Sequence, residues 1–482
     1  MACFKNAWLS YHQFVCKPPS GDGEEDEVEP DQEMLERVAL NVSRYNKRKP
    51  AQNGHAENQA GETGPIEETV DITMEAFFSL MDHYEDHPKA VLQQYRHVAD
   101  RTMDKPYIVD TGLQQKDLIQ LLCRFRCNNF AIHDDQLFAI GEGTYPIGAL
   151  FNHSCRPNAV AMFDGAHLII KAIEDIEPGD EITIAYVDTV HSRTYRQASL
   201  REKYFFDCNC VRCSEDPTFG QIDGLLGEEE SDWDRAENVL NPAEGISATI
   251  LKEVEAWDLL AMSRKYDRKH NAVPDIPLCM SEYTHYLLQL FTPYLWSVNN
   301  PGLMHTSPAP SPGRNPSQLA HFDDPLPLSA RPPIPEKYDD IISEGVAFVR
   351  AGLPKTNLVA SRLTTLSAST RLFYDEIAAN RWLNATKLGM YILVQYCLVY
   401  PPYHPMLGQH ALLLAKAGWN YIIQAEFLGE GRRLEKVYER GVRRWIAVAK
   451  ENIACSFGKN SAQWRDVVEL EWIFMREQKL KR

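Results

Sequence analysis

The chain has 482 residues, with 67 acidic against 50 basic side chains and a formal net charge of −17, a length that accommodates two to three domains at roughly 100–200 residues each. This balance lacks the basic footprint that direct nucleic-acid binding requires, whereas an acidic surface attracts Lys- and Arg-rich peptide segments over about a Debye length, roughly 8 Å at physiological salt. No basic region followed by an apolar run opens the sequence, and the most apolar stretch, Met390 to Tyr400, is shorter than the ~20 residues of a bilayer span; no membrane association and a soluble, intracellular protein are expected. Eleven cysteines, an odd number without a signal peptide, read as thiols, and the clustered ones as metal ligands.

Residues 1–16 hold Cys3, His12 and Cys16, three candidate ligands where a structural zinc site needs four. Lys17 to about Pro30 is acidic with Pro and Gly, and Lys47 to Thr69 is polar; both read as linkers. Between them, Asp31–Tyr45 has apolar residues at helical spacing, as has Met74 to about Met103, with Phe77, Phe78, Leu80, Met81 and Tyr84. Another helix is predicted from Leu113 to Arg126, running into Cys127-Asn128-Asn129-Phe130-Ala131-Ile132. Short alternating segments follow at 137–140, 159–163, 167–172 and 181–186, separated by Gly, Pro and Asp. They predict small sheets in an α+β fold, not βαβ units.

After Ser214 the pattern is helical, with predicted helices at 246–264, 281–297, 338–352, 357–380, 383–400, 407–426 and 431–456. A Pro-, Ser- and Gly-rich interruption at about 299–335 reads as a long flexible loop. Trp382, Trp419, Tyr421 and Trp445 are expected in the core of these helices, as are the scattered thiols Cys123, Cys127, Cys279, Cys397 and Cys455. His133, His167 and His191 are read as ordinary surface or strand residues, and Glu174, Asp175, Glu177 and Asp180 as a solvated acidic turn.

Three motifs carry chemistry. They are Asn152-His153-Ser154-Cys155-Arg156-Pro157-Asn158, then Gly179-Asp180-Glu181-Ile182-Thr183-Ile184-Ala185-Tyr186, then Cys208-Asn209-Cys210-Val211-Arg212-Cys213. In this order and spacing they resemble the signature of SET-domain protein lysine methyltransferases of the SET-and-MYND branch. The resemblance implies a SET domain of small twisted β-sheets over 70–203, a post-SET zinc segment over 204–216, and an all-α, tetratricopeptide-like C-terminal domain over 217–482. Residues 17–69 would be linker with a short helix, and 1–16 the remnant of a MYND-type zinc finger. No Gly-x-Gly strand of the kind that opens the family's SET domain precedes these motifs; Gly141-Glu142-Gly143 lies later, where the family has a loop.

The activity implied is methyl transfer from S-adenosylmethionine to a lysine of a histone or other protein. Tyr186 would be the catalytic tyrosine, with Tyr204 lining the lysine channel. Asn128, Asn152, His153, Tyr186 and Phe206 would contact the cofactor, Phe206 by stacking on the adenine. Cys155, Cys208, Cys210 and Cys213 would close a four-thiolate structural zinc site. The partners implied are lysine-bearing protein segments, histone tails among them, and a monomeric protein of nucleus and cytoplasm is expected. The competing expectation is a catalytically inactive, zinc-stabilised interaction scaffold, favoured by the absent Gly-x-Gly strand.

Overall fold

The computed structural model describes residues 30–52, 65–227, 245–263, 279–296, 338–351, 358–429 and 432–480. Cys3, His12, Cys16 and the 299–335 segment lie outside them. The chain divides into two units, one formed by residues 1–152 with 201–206 and the other by 153–200 with 207–482. The dividing line thus falls within the expected 70–203 domain.

In the first unit, helices α1 (Pro30–Gln52), α2 (Pro65–Ser79), α3 (Lys89–Met103), α4 (Pro106–Val109) and α5 (Gln115–Asn128) precede a hairpin of β1 (Asn129–His133) and β2 (Ala139–Thr144). Helix α1 outruns its predicted end, and α2 begins upstream of Met74, so both ends of the polar 47–69 stretch are helical. Apolar spacing in α5 buries Leu118, Leu121, Leu122 and Phe125 on one face, against Leu35, Ala39, Phe77, Val98 and Ile108. Each such large side chain stabilises by roughly 1.5–3 kcal/mol. A capping box starts α5, in which the Gln114 N–H donates to Asp117 at 2.8 Å.

The predicted Met74–Met103 helical stretch is broken between Ser79 and Lys89 by a turn. Its Leu80 carbonyl accepts from Arg124 Nε at 3.0 Å, and its Met81 carbonyl accepts from Asn128 Nδ2 at 3.0 Å. In the hairpin, Gly141 pairs with Ile132 and Gly143 with Phe130. The Gly-x-Gly expected in a loop is therefore strand, because Gly141, Glu142 and Gly143 each face a partner across the ladder.

The second unit carries the remaining strands, apart from Asn152 at the start of one, and the C-terminal helices. Strands β4 (Ala159–Asp164) and β5 (His167–Ala172) form an antiparallel hairpin. Gly165, with φ +57°, supplies the left-handed conformation its two-residue turn requires. The strand at Asn152–His153, β3, pairs with β6, Thr183–Ile184. The polar helix α6 (Arg193–Tyr204) follows, then α7 (Gly220–Leu226).

The C-terminal part is all helical among the described residues: α8 (Gly245–Glu255), α9 (Leu259–Met262), α10 (Met280–Trp296), α11 (Tyr338–Ala351), α12 (Leu363–Ala378), α13 (Trp382–Val399), α14 (Pro405–Leu428), α15 (Arg432–Ser456) and α16 (Ala462–Leu480). The predicted 246–264 helix breaks in two, and Asp258 caps the second piece by accepting the N–H groups of Leu260 and Ala261. Helix α13 is buried on all sides from Ala385 to Val399 and forms the centre of this core. A Cβ on Gly418 would come within 2.8 Å of the Trp445 ring, so glycine there lets α14 and α15 approach closely. Trp419, Tyr421 and Trp445 are buried, and Trp382 packs partly buried against the same core. Cys123, Cys127 and Cys397 are buried as expected; Cys279 is exposed, because it sits just ahead of α10 and not on its apolar face. No helix among the described residues is long and apolar enough to cross a membrane.

Candidate metal centre and catalytic tyrosine

Four cysteines from two distant sequence segments meet in the second unit. The ligand atoms of Cys155, Cys208, Cys210 and Cys213 all lie within 4.8 Å of one another, and the Cys155 and Cys213 sulfurs are 3.5 Å apart. In a tetrahedral site with Zn–S bonds near 2.3 Å the sulfurs stand about 3.8 Å apart. The donor set, all thiols and four in number, suits zinc in a closed structural site. Hydrogen bonding within the cluster concentrates charge. Hydrogen bonds from Cys155, Cys208 and Cys213 lower the Cys210 thiol from its ordinary value.

Local backbone geometry explains how these residues converge. Cys213 and Ser214 both donate their N–H groups to the Cys210 carbonyl at 2.9 Å, folding the second segment into a turn. The Gln197 side chain of α6 pairs both backbone groups of Cys208, donating to its carbonyl at 2.6 Å and accepting its N–H at 3.1 Å. Cys155 follows β3, where the Ser154 N–H donates to the Ile184 carbonyl at 3.0 Å.

Around the sulfurs lies a shell of fully buried charge that the sequence did not signal. Arg196 donates two bonds to Asp223, at 2.7 and 2.9 Å, and its Nη2 lies 3.7 Å from the Cys213 sulfur. Arg212, inside the cysteine turn, reaches the same carboxylate at 3.2 Å and the carbonyls of Thr189 at 2.6 Å and Val399 at 3.4 Å. All three side chains are inaccessible to solvent. Burial alone would lift the Asp223 carboxyl, but Arg212 and Arg196 hold it below its usual value. Nothing in the sequence marks such a triad, since its members are 11 and 27 residues apart and alternate with ordinary polar residues.

His153 and Tyr186 belong to the same arrangement. Nδ1 of His153 accepts the Tyr186 N–H at 2.9 Å, its Nε2 lies 3.3 Å from the Cys155 sulfur, and the imidazole and phenol rings are 5.2 Å apart. Because Nδ1 accepts, the ring proton is on Nε2 and points at sulfur. Burial lowers His153 to about 4, so the ring is neutral. Burial, helped by the Glu181 carboxylate, pushes the Tyr186 phenol up to about 12. The loop after Tyr186 is tied down at Thr189 by Arg212 and at Asp188 by the Tyr400 hydroxyl, 3.1 Å away. The acidic turn is not wholly solvated, because Glu174 pairs with Arg156.

The remaining sequence-predicted residues lie in the first unit. Asn128 ends α5 with its amide donating to the Met81 carbonyl at 3.0 Å and the Arg124 carbonyl at 2.7 Å. Asn152 is exposed on β3. Tyr204 ends α6 half-buried, with the Lys203 ammonium 5.3 Å from its ring centre, and Phe206 is half-buried two residues on. Among the described residues, the cysteine cluster is the one group of three or more His, Cys, Asp or Glu side chains arranged to hold a metal ion.

Comparison with known proteins places this geometry. Residues 24–187 match the SET domain family. The histone-lysine N-methyltransferase SMYD3 of Mus musculus is 36% identical over 132 residues, 27% of this chain and 30% of that protein. The histone-lysine N-methyltransferase ASHR1 of Arabidopsis thaliana is 32% identical over 151 residues, 31% of this chain and 30% of its own length. The N-lysine methyltransferase SMYD2 of Gallus gallus is 29% identical over 147 residues, 30% of this chain and 32% of its own. The chain therefore spans about a third of the length of these curated relatives.

Proposed function

This chain carries a SET domain related to those of the SET-and-MYND methyltransferases, and from that premise we propose that it is a protein-lysine N-methyltransferase using S-adenosylmethionine. The observation that carries the reading is the fixed placement of Tyr186, the tyrosine ending the second motif, by His153 of the first motif, itself in contact with the cysteine cluster.

When bound, the cofactor would supply an electrophilic methyl group on a sulfonium, transferable to a neutral lysine amine with a neutral thioether as the leaving group. The task of this chain is to orient and to exclude water. Tyr186, with its phenol pushed up to about 12, remains a neutral hydroxyl throughout the physiological range. It therefore serves as an oriented dipole and hydrogen-bonding group, not as a base. Tyr204 is assigned to the wall that desolvates the incoming lysine, which favours the neutral amine because burial disfavours charge. Phe206 is assigned to stack on the adenine, and Asn128, Asn152 and His153 to hold the polar ends of the cofactor. Asn152, exposed on its strand, offers an amide with both donor and acceptor capacity.

We assign Cys155, Cys208, Cys210 and Cys213 to one structural zinc ion. Bound there, the metal would hold the segment that carries Arg212 and follows Tyr204 and Phe206, a mechanical role. The helical C-terminal domain over 217–482 is read as the tetratricopeptide-like domain of the family. Substrates are lysine-bearing protein segments, with histone tails as candidates, attracted by the acidic surface; nucleus and cytoplasm are the assigned compartments.

The test is transfer of labelled methyl from S-adenosylmethionine to histones and to lysine peptides by the zinc-loaded chain, with Tyr186→Phe as control. Transfer lost in the variant supports the reading. Zinc bound with no transfer to any lysine substrate would leave the scaffold alternative.

A further inference from the structure

Helix α6 ends on a residue ill suited to its end. Phe205, the first residue beyond Tyr204, has φ +59°. Helices commonly stop on a left-handed residue, but glycine or asparagine ordinarily takes that place, because a bulky side chain is strained there. A second such residue faces it. His83, in the turn between α2 and α3, has φ +49°, and its ring lies 5.0 Å from that of Phe205 at an interplanar angle of 31°. His87 meets the same phenyl ring edge-on, at 4.8 Å and 78°.

The turn that presents these two histidines is firmly built. The His83 carbonyl accepts the N–H groups of Asp86 at 2.9 Å and His87 at 3.2 Å, and His83 Nδ1 lies 3.1 Å from the Asp86 carboxylate. Arg124 holds Leu80 and Asp82, and Asn128 holds Met81. His87 is buried against Tyr95 and lies 3.8 Å from the Cys127 sulfur. Two strained residues from distant parts of the sequence thus meet at a single ring contact. Strain of this kind persists only where the surroundings over-determine it.

We propose that Phe205 is a positioning residue, held left-handed between His83 and His87 so that Tyr204 and Phe206 on either side of it are set for the cofactor and the lysine. The inference rests on the methyltransferase reading. A left-handed residue turns the chain sharply, so the direction of Phe206 relative to the helix end at Tyr204 depends on the conformation of Phe205. Release of the ring would let the backbone relax to an ordinary conformation and swing Phe206 away. Beside the cofactor contact assigned to it, Asn128 anchors the turn carrying the clamp through its amide.

The experiment compares Phe205→Gly and Phe205→Asn, which tolerate the left-handed backbone but lack the ring, with Phe205→Tyr, which keeps it, and with His87→Ala. S-adenosylmethionine affinity is read by calorimetry, zinc by metal analysis, and order at 204–206 by amide hydrogen exchange. In the ring-less variants and in His87→Ala, affinity should fall about tenfold and exchange should quicken with zinc content unchanged; Phe205→Tyr should restore both. Unchanged affinity and exchange in Phe205→Gly, with equal or higher Tm, would make the left-handed residue a mere helix stop and overturn the proposal. An unmutated chain that binds no S-adenosylmethionine sinks the methyltransferase reading, whereas exchange equally fast with and without the ring sinks the clamp, so the two failures are separable.

Discussion

The backbone N–H of Tyr186 donates to Nδ1 of His153 at 2.9 Å. This bond fixes the tautomer of the imidazole and turns its other nitrogen toward the Cys155 sulfur, 3.3 Å away. The position of the tyrosine is thereby coupled to the cysteine cluster. His153→Ala removes both contacts at once. Such outer partners of a metal site typically cost about 10–100-fold in affinity or activity when lost. A drop in zinc affinity by competition with a chelator, together with slower methyl transfer, is expected.

Tyr186→Phe is expected to lose most transfer while retaining zinc and the unfolding midpoint. Only a hydroxyl is removed, and the His153 bond is made by the backbone, which the substitution leaves in place. A transfer rate equal to that of the unmutated chain would refute the assignment of Tyr186.

Cys210→Ser withdraws one of the four thiols of the cluster. Release of about one zinc per chain is expected, because a closed tetrahedral site does not survive loss of a ligand. Metal analysis after gel filtration decides this; unchanged metal content would refute the four-cysteine site.

Asp223→Asn leaves the guanidinium groups of Arg196 and Arg212 buried without their shared carboxylate. Breaking a buried pair in this way costs about 3–5 kcal/mol, readable in urea unfolding. The sign of the pH dependence follows from the depressed Asp223 carboxyl. Its contribution is fully present above the ordinary value of 3.8 and is lost only as pH falls through its lower folded value. Near neutrality, stability should be insensitive to this triad.

Glu451 behaves in the opposite sense. Burial pushes its carboxyl from 4.5 up to about 7, although the Tyr403 hydroxyl donates to it at 2.9 Å. The folded chain therefore binds a proton that the unfolded chain has released. Stability should decline as pH rises from about 4.5 to 7 and level off above, by on the order of 1–3 kcal/mol. Thermal unfolding at pH 5 and pH 8 should show this slope in the unmutated chain and a flatter one in Glu451→Gln.

Much of the arrangement was legible in the sequence wherever spacing reports directly on contact. The C-x-C-x2-C run brought three sulfurs together by local geometry, whereas the fourth, Cys155, was implied only by the family resemblance. Helix α5 declared itself through Leu118, Leu121, Leu122 and Phe125. Helix α6 was silent, because it buries only Arg196 and Leu200 and shows no apolar stripe. Helix α16 was overlooked although Val467, Leu470 and Phe474 stand at helical spacing and are buried. The break at Leu80–Pro88 was hidden because the apolar residues of α2 run on into a turn held by Arg124 and Asn128, partners more than 40 residues away. For the same reason neither the Arg196–Asp223–Arg212 triad nor the Phe205 clamp could be read from spacing: long-range polar and aromatic contacts leave no period.

S-adenosylmethionine binding, measured by calorimetry on the purified, zinc-loaded chain, tests the central claim most directly. Saturable one-to-one binding that is abolished in Phe206→Ala is expected of a lysine methyltransferase. A fully zinc-loaded, folded chain that binds no S-adenosylmethionine would contradict it.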